Sequence, residues 1–484
     1  MNSLPDTNSF VCDQHTMPLC VDLDGSLIHS DLLVESALLL LGKQPWMLFG
    51  MLVWLLKGKA HLKEQIARRV ELDPSALPYN QELLAWLRSQ QSKRPLILCT
   101  ASDARLAIPV AKHVGVFDDV MASDGKRNLS GRNKADALVE RFGEHGFDYV
   151  GNADVDLAVW QRAHGAIVVE ASAHLSSAAS RVAQVKQRFP AHKATLRTWL
   201  KALRVHQWVK NVLVFLPLLA AHRIFDLAAV AGTVLSFLCF GLCASSVYLT
   251  NDLLDLTADR HHHRKRSRPF AAGKLPLAAG PVVAALLLVC GFALASLLDV
   301  KFVLTLAAYY VLTTLYSLHL KRVVMLDVIV LAMLYTTRIL AGTAAIQGKH
   351  SFWLMAFSMF IFLSLAMVKR FTELLGAQKA GKVTAKGRGY DVDDIPLIQS
   401  LGSASGYLAV LVLAQYVEST ASSMLYRHPH YLWLLCPLLL YWISRTWAIA
   451  HRGVMHDDPV VFALKDKVSR ILLVIAAAIV AISI

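Results

Sequence analysis

Long apolar segments from about residue 204 to the C-terminus set the strongest limit on how this chain can fold. A bilayer-spanning helix needs about 20 mostly apolar residues, and a helix satisfies its own backbone hydrogen bonds there. The second half of the chain therefore predicts an all-α membrane bundle. We expect about nine transmembrane helices, near 209–224, 227–249, 276–297, 301–318, 324–346, 352–370, 401–418, 430–449 and 468–484.

The basic residues in the loops predict how this bundle is oriented. Basic side chains concentrate after the second and sixth predicted spans, and cytoplasmic loops are enriched in such residues. The N-terminus and these loops are therefore expected in the cytoplasm, with the C-terminus outside, as for a multi-pass protein of a bacterial inner membrane. The formal charge of +14 then reflects loops, anionic lipid and phosphorylated substrates, and we expect no nucleic acid partner.

Residues up to about 200 have the composition of an ordinary soluble domain. We place a hydrolase-type domain at 1–170, a linker rich in Ser, Ala, Lys and Arg at 171–200, and the membrane domain at 201–484. The seven scattered cysteines predict neither a disulfide framework nor a zinc site. The sequence leaves open whether the chain forms a homo-oligomer.

The apolar run Ala37–Leu56 resembles a transmembrane helix but is predicted not to cross the membrane. A single crossing there would separate Asp22 from Thr100 and Lys134, which we expect at one phosphate site. We predict a helical cap over about 31–90, with two tryptophans, Trp46 and Trp54, resting on the membrane surface or on the second domain. The alternative is a cap buried in its own core.

Polar residues at the ends of three predicted strands indicate phosphate chemistry. The segment Pro18–Ile28 is an apolar strand that ends in Asp-Leu-Asp-Gly-Ser, in which Asp22 would be a nucleophile and Asp24 a general acid and base. Thr100 follows a second strand and suits a phosphate oxygen, and Lys134 would balance the phosphate charge. Asp156, after a third strand, would help to hold Mg²⁺.

In order and spacing, these segments resemble the haloacid dehalogenase superfamily of phosphatases. The resemblance implies an α/β Rossmann-like domain with a helical cap, and Mg²⁺ held by Asp22, Asp24 and Asp156. The residue after Gly151 is Asn152, where the family usually has an aspartate, and Asp154 is a substitute ligand to consider. An inactive domain retained for folding or regulation is the alternative.

The stretch Tyr248–Gly273 places acids and then bases at a membrane boundary. If the preceding helix continues through it, Asp252, Asp255 and Asp259 fall at i, i+3 and i+7 and share one face. Such a face suits Mg²⁺. The basic residues Lys265, Arg266 and Arg268 would bind phosphate or anchor the loop to anionic lipid.

Other polar residues fall on the same predicted face of the membrane. Asp327 and Arg338 lie on one span, about 16 Å apart and nearly in angular register, as expected for side chains that face a cavity; a structural pairing of Arg338 is the alternative. The other candidates for substrate or metal binding are Arg204, Gln207, Lys210, Asn211, Tyr316, Lys321, Lys369, Arg370, Glu373, Tyr390, Asp391, Asp393 and Asp394.

The acidic stretch, the RSRPFAAG that follows it, YSLHLK and a second acidic loop resemble the UbiA superfamily of intramembrane prenyltransferases. The resemblance implies Mg²⁺ and a diphosphate held by Asn251, Asp252, Asp255 and Asp259, and more loosely by Asp391 and Asp394. The segments RVHQWVKN, KRFTEL, GRGY and MHDDPVVFALKD look most like the decaprenyl-phosphate phosphoribosyltransferase branch. This implies transfer of 5-phosphoribose from phosphoribosyl diphosphate, a soluble diphosphate donor, to a polyprenyl phosphate lipid.

Under this reading the fused phosphatase would remove the 5-phosphate of the product. Two other functions fit the sequence. One is a prenyltransferase that moves a polyprenyl group from its diphosphate to an aromatic acceptor. The other is a lipid-binding or transport protein with an inactive phosphatase domain.

Overall fold

The structure is a computed structural model that describes residues 17–124, 127–170, 172–190, 194–383, 389–455 and 458–484. The chain divides into two compact units. The first contains the described residues up to Leu203 together with Leu249–Val282, and the second contains Arg204–Tyr248 with Val283–Ile484.

The first unit is built on a six-stranded parallel sheet of order β3-β2-β1-β4-β5-β6. Every residue of β1 is fully buried, as its unbroken apolar sequence predicts for a central parallel strand. Strands β2 and β3 lie on one side of β1, and β4, β5 and β6 lie on the other. The carboxyl ends of β1 and β4 therefore border a crevice of the kind in which ligands bind. The strands are β1 Leu19–Val21, β2 Leu96–Asp103, β3 Asp119–Ser123, β4 Asp148–Gly151, β5 Gly165–Val169 and β6 Gln184–Phe189.

Nine helices accompany this sheet within the described residues. Two apolar clusters cover its faces, one with Leu98 and Leu87 and the other with Trp160 and Leu138. The helices are α1 Leu32–Lys43, α2 Met47–Leu56, α3 Lys59–Ala67, α4 Gln81–Gln90, α5 Ala104–Val114, α6 Arg132–Phe142, α7 Leu157–Trp160, α8 Ala173–Val182 and α9 Leu196–Ala202.

The expected linker at 171–200 needs correction, because most of it belongs to the folded unit. Helix α8 and strand β6 occupy residues 173–189, and β6 pairs with β5 as the sixth strand. Its last residue, Phe189, packs edge-on against Trp86 with ring centroids 5.7 Å apart. A polar edge strand has the same composition as a linker, so the composition of this segment did not distinguish them.

The apolar run Ala37–Leu56 forms two short helices instead of one span. Helix α1 ends at Lys43, and α2 begins after Gln44, Pro45 and Trp46 and has only 10 residues. A helix of that length rises about 15 Å, half of the hydrocarbon thickness. Trp54 packs on the core of its own unit, whereas Trp46 is 64% exposed.

Helices make up the rest of the chain. Among the described residues, six are long and apolar enough to cross a membrane: Leu227–Leu254, Val300–Leu318, Leu326–Ala345, Phe352–Lys379, Val392–Val417 and Pro429–His451. The other three predicted spans coincide with shorter helices, so the count of nine remains a prediction. The helices are α10 Leu216–Ala220, α11 Leu227–Leu254, α12 Leu256–His261, α13 Ala279–Ala295, α14 Val300–Leu318, α15 Leu326–Ala345, α16 Phe352–Lys379, α17 Ile395–Val417, α18 Thr420–Leu425, α19 Leu435–His451, α20 Pro459–Lys465 and α21 Lys467–Ser483, with 3₁₀ turns such as Val205–Phe215 between them.

The role of β6 can be tested by substitution. Phe189→Ala removes a buried ring and should lower the free energy of unfolding of the full-length protein by about 3 kcal/mol. Gln187→Ala, at an exposed position of the same strand, should change it by less than about 0.5 kcal/mol. Denaturant titration in detergent measures both. Equal, small effects would mean that this segment is a linker.

Candidate active sites

The first candidate site lies at the carboxyl end of β1, where Asp22 meets Lys134. The Lys134 Nζ donates to Asp22 Oδ1 at 2.6 Å and to the Tyr149 hydroxyl at 2.8 Å. Lys134 comes from the first turn of α6, and its side chain is almost fully buried. The predicted meeting of Asp22 and Lys134, 112 residues apart in sequence, is therefore seen in the structure.

Asp24, the second predicted catalytic acid, is held by one backbone and two hydroxyl donors. Its Oδ1 accepts from the Leu32 amide at the start of α1, at 2.7 Å. Its Oδ2 accepts from the Ser102 hydroxyl at 2.7 Å and more weakly from Thr100 Oγ1 at 3.4 Å. Ser102 is a closer partner than Thr100, and the sequence analysis missed it.

Asp156 joins this network through Tyr149. The Tyr149 hydroxyl donates to Asp156 Oδ1 at 3.0 Å, and the backbone amides of Asn152 and Ala153 donate to Oδ2. Gly25 has a φ of +75°, and any side chain there would overlap the Asn152 amide. Asn152 therefore lies directly against the Asp-Leu-Asp-Gly turn, whereas Asp154 is exposed.

Burial sets the charge state of the two catalytic candidates. It raises the pKa of Asp22 to about 7, with Lys134 opposing that rise, and raises the pKa of Asp24 to about 6. Burial lowers the pKa of Lys134, but the combined attraction of Asp22, Cys99 and Asp156 outweighs burial, so the pKa of Lys134 rises as well. Lys134 therefore stays cationic beside a carboxyl group that titrates close to neutrality.

The donor set at this site fits Mg²⁺ in chemical type, since the Asp22 and Asp24 carboxylates and the Asn152 side chain offer hard oxygen ligands. Within the described parts of the chain, however, no cluster of three or more His, Cys, Asp or Glu side chains is arranged to hold a metal ion. Asp156, a predicted ligand, is engaged by Tyr149 and two backbone amides.

The acidic stretch forms a second candidate site in the first unit. Helix α11 ends at Leu254 and α12 begins at Leu256, so the helix is interrupted at Asp255. Arg268 Nη1 bridges Asp252 Oδ1 at 3.0 Å and Asp259 Oδ2 at 2.5 Å, and both acids are buried. The two carboxylates therefore lie close enough to share one cation, here the Arg268 guanidinium. A metal ion bound by both would need them to be equally close.

The three acids predicted to share one face differ in burial, because Asp255 is exposed whereas Asp252 and Asp259 are buried. Asp255 is the residue between α11 and α12, where the helix is interrupted. Asn251 is half-buried, Lys265 Nζ lies 3.9 Å from Asp259 Oδ1, and Arg266 is exposed.

The acidic stretch also contacts the cap through a buried ion pair. Arg260 donates from Nη2 and Nη1 to the two Glu35 oxygens, at 2.6 and 3.0 Å, and from Nε to the Ala271 carbonyl. Side-chain exposure is only 7% for Arg260 and 2% for Glu35. His261, the next residue, pairs with Asp73 at 3.0 Å. The Glu35–Arg260 pair was not predicted.

In the second unit, Asp458 holds two of the predicted lysines. Its Oδ2 accepts from Lys210 Nζ at 2.8 Å and from Lys369 Nζ at 3.3 Å. Tyr335 donates to Oδ1 at 3.4 Å. Two cations share one carboxylate, so the cluster keeps a net positive charge. The motif MHDDPVV was noted in the sequence, but the role of Asp458 was missed.

Asp327 and Arg338, predicted as a related pair on one helix, have separate partners. Arg338 donates to Asn211 Oδ1 at 2.9 Å and to the Tyr309 hydroxyl at 3.0 Å. Asp327 forms a fully buried ion pair with Arg370 at 2.8 Å and accepts from the Tyr390 hydroxyl at 2.5 Å.

Arg370 also pairs with Glu373, whose side chain is 37% exposed. Among the remaining candidates, one has a ring contact and the others are half-buried. The Arg204 guanidinium lies 5.0 Å from the Tyr248 ring centroid, while Gln207, Tyr316 and Lys321 are half-buried.

The second acidic loop caps a helix in the structure. The Asp394 carboxylate accepts from the Asp391 amide at 3.0 Å, immediately before α17, and Asp391 and Asp393 are exposed. The metal role of Asp391 and Asp394 stays a prediction. Residues 384–388, which include part of the GRGY motif, lie outside the described residues.

Known proteins resemble the membrane half of the chain. The UbiA prenyltransferase family matches residues 212–476, more than half of the chain. The chain belongs to the UbiA prenyltransferase family. Together with the six long apolar helices among the residues that the structure describes, this makes it an integral membrane protein of a transferase family.

Three curated proteins illustrate the range of similarity. An uncharacterized protein, y4nM, of Sinorhizobium fredii is 38% identical over 95% of this chain and 89% of its own length, so it shares both halves. The nodulation protein NoeC of Azorhizobium caulinodans is 35% identical over 57% of this chain and 90% of its own. The decaprenyl-phosphate phosphoribosyltransferase of Mycolicibacterium smegmatis is 31% identical over 56% and 88%, in the C-terminal part.

The buried Glu35–Arg260 pair yields a stability prediction. Glu35→Ala leaves Arg260 buried without its carboxylate and should lower the free energy of unfolding by about 3 kcal/mol in detergent. Arg68→Ala breaks the exposed Arg68–Glu64 pair and should cost less than about 1 kcal/mol.

A double variant separates an ion-pair effect from lost packing. Glu35→Met with Arg260→Met removes both charges and should recover more than half of the stability lost in Glu35→Ala. Additive losses in the double variant would contradict the account of a paired, buried charge.

Proposed function

We propose that this protein transfers 5-phosphoribose from phosphoribosyl diphosphate to a polyprenyl phosphate, and that its first unit then removes the 5-phosphate. The observation that carries the proposal is the similarity of the C-terminal part to decaprenyl-phosphate phosphoribosyltransferases over 88% of such a protein's length. The phosphate-type site at Asp22, in the same chain, supplies the second step. We propose that both reactions take place on the cytoplasmic side of a bacterial inner membrane.

In the transfer step, an oxygen of the lipid phosphate attacks C1 of the ribose while the bond from C1 to diphosphate breaks. Asp252 and Asp259, with Asn251 and Asp255 beside them, would hold Mg²⁺. The ion would neutralise charge on the departing diphosphate. Asp252 and Asp259 both pair with the Arg268 guanidinium. This supports the proposed role, because the two carboxylates already lie close enough to share one cation. Arg268 is then placed to bind the diphosphate itself.

The second unit offers binding groups for the lipid phosphate. Lys210 and Lys369 share the single carboxylate of Asp458, and Arg338 is bonded to neutral partners. The excess of positive charge in this unit favours an anion. A phosphate oxygen would replace part of the contact between these lysines and Asp458, which explains why the lysines are held in place but not fully neutralised.

The hydrolysis step uses the network at Asp22. The Asp22 carboxylate attacks phosphorus, and Asp24 gives its proton to the departing ribose oxygen, so that an aspartyl phosphate forms. Asp24 then takes a proton from water, which attacks phosphorus and releases inorganic phosphate and free Asp22. Lys134 and Thr100 hold the phosphate oxygens. Mg²⁺ would be held by the Asp22 carboxylate and the Asn152 side-chain oxygen, and it would neutralise phosphate charge.

A prenyltransferase reaction is the second candidate, and the family match itself favours it. In that case the acidic stretch would hold a polyprenyl diphosphate, and an aromatic ring would be the acceptor. The same carboxylates serve both reactions, since each donor loses a diphosphate from a carbon that can carry positive charge.

Two substitutions separate the proposed steps. Asp24→Asn should lower hydrolysis at least about a hundredfold while transfer continues, so that 5-phosphorylated ribosyl lipid accumulates. Asp252→Asn should lower transfer by at least about a hundredfold and leave hydrolysis of added phosphoribosyl lipid intact. Mass spectrometry of lipid extracts measures both.

Asp154→Asn is the matched control, because it changes an exposed acid in the same domain. Its product pattern should equal that of the wild type. A ribosyl lipid that keeps its phosphate in the wild-type reaction would contradict the proposed role of the first unit.

A further inference from the structure

The structure has an apolar surface that neither proposed reaction uses, on helix α2. No residue of this helix is buried, although all of its ten residues are apolar or glycine. Large side chains on its outer face are exposed, with Phe49 at 71% and Leu56 at 88%. The outer face consists of Leu48, Phe49, Leu52, Val53, Leu55 and Leu56, and Trp46 precedes it. We infer that this face lies in the surface of the lipid bilayer.

The opposite side of α2 fixes its orientation. Met47, Met51 and Trp54 pack against the apolar core of the first unit, and the Arg69 guanidinium lies 4.6 Å from the Trp54 ring centroid. The inner face therefore already has its partner. The outer face presents a continuous apolar patch, which a folded protein keeps exposed mainly where a partner or a membrane covers it.

The position of α2 in the first unit selects the bilayer as that partner. Helix α1 precedes it, and Gly42 near the end of α1 lies against the carbonyl oxygen of Leu254; a Cβ at Gly42 would be 3.4 Å from that oxygen. Leu254 is the last residue of α11, one of the helices long enough to cross the membrane. Helix α2 thus begins five residues from a contact with the end of a spanning helix.

A second contact holds α1 at that place. The buried Glu35–Arg260 pair ties α1 to α12, which directly follows α11. Three exposed lysines, Lys43, Lys57 and Lys59, flank α2 and suit anionic headgroups. With Trp46 at its entrance, α2 has the apolar face, the interfacial tryptophan and the basic flanks of a helix that lies in the plane of the membrane surface.

The placement of α2 in the bilayer surface determines where the Asp22 site of the first unit lies. Helix α2 would hold the Asp22 site close to the headgroups, where a phosphate carried on a lipid is within reach. The inference itself rests on α2 and its contacts, and it stands whether the donor of the transfer reaction is a ribosyl or a prenyl diphosphate.

Spin labels on the full-length protein test this placement. Cysteine is introduced separately at Phe49 and Leu52, and at Ser89 on the exposed side of α4 as the control, with Cys12 and Cys290 replaced by serine. The protein is placed in nanodiscs of phosphatidylcholine and phosphatidylglycerol. Each label is then exposed to oxygen, which concentrates in lipid, and to a water-soluble nickel chelate.

Labels at 49 and 52 should collide with oxygen more than with the nickel chelate, and the oxygen-to-nickel ratio should exceed that at 89 by about tenfold. A ratio at 49 and 52 equal to that at 89 would overturn the inference, because the face would be in water. Spectra at 49 and 52 broadened by coupling between labels would also overturn it, because a second copy of the chain would then cover the face.

Discussion

A single buried ion pair, Glu35 with Arg260, organises the functional part of the first unit. Burying two charges carries a desolvation cost that only close, doubly hydrogen-bonded geometry offsets. The pair therefore permits one relative position of α1 and α12. The amino end of α1 supplies the Leu32 amide that holds Asp24, and α12 carries Asp259. One contact thus links the acid Asp24 of the first candidate site to the acid Asp259 of the second.

The same charge arrangement recurs at three places in the candidate sites. Asp22 pairs with Lys134, Asp327 pairs with Arg370, and the bridged acids Asp252 and Asp259 share Arg268. Each carboxylate is satisfied by a cation that a phosphate group also attracts. Unpaired buried charges are costly, so these pairs stabilise the carboxylates in low-dielectric surroundings. The Lys210–Lys369–Asp458 cluster differs because it has two lysines for one carboxylate. Its extra positive charge favours the binding of an anion.

Local patterns in the sequence predicted much of this structure, and long-range contacts account for what they missed. The buried strand before Asp22 and the apolar spans follow from short segments that carry their own signal. Arg260 and Glu35 lie 225 residues apart, and no local pattern links them. The acids Asp391 and Asp394 have the composition of a metal site and the geometry of a helix cap. Asp255 is exposed while Asp252 and Asp259 are buried, and the interruption of the helix at Asp255 was not indicated by periodicity alone.

Donor identity is the most direct test of the central claim. Full-length protein in nanodiscs with polyprenyl phosphate is given phosphoribosyl diphosphate with isotope-labelled ribose, and in parallel polyprenyl diphosphate with an aromatic acid. Mass spectrometry of the lipid extract identifies the product of each reaction. We expect a polyprenyl-phosphate lipid that carries labelled ribose without a 5-phosphate. A prenylated aromatic product with no labelled lipid would contradict the claim.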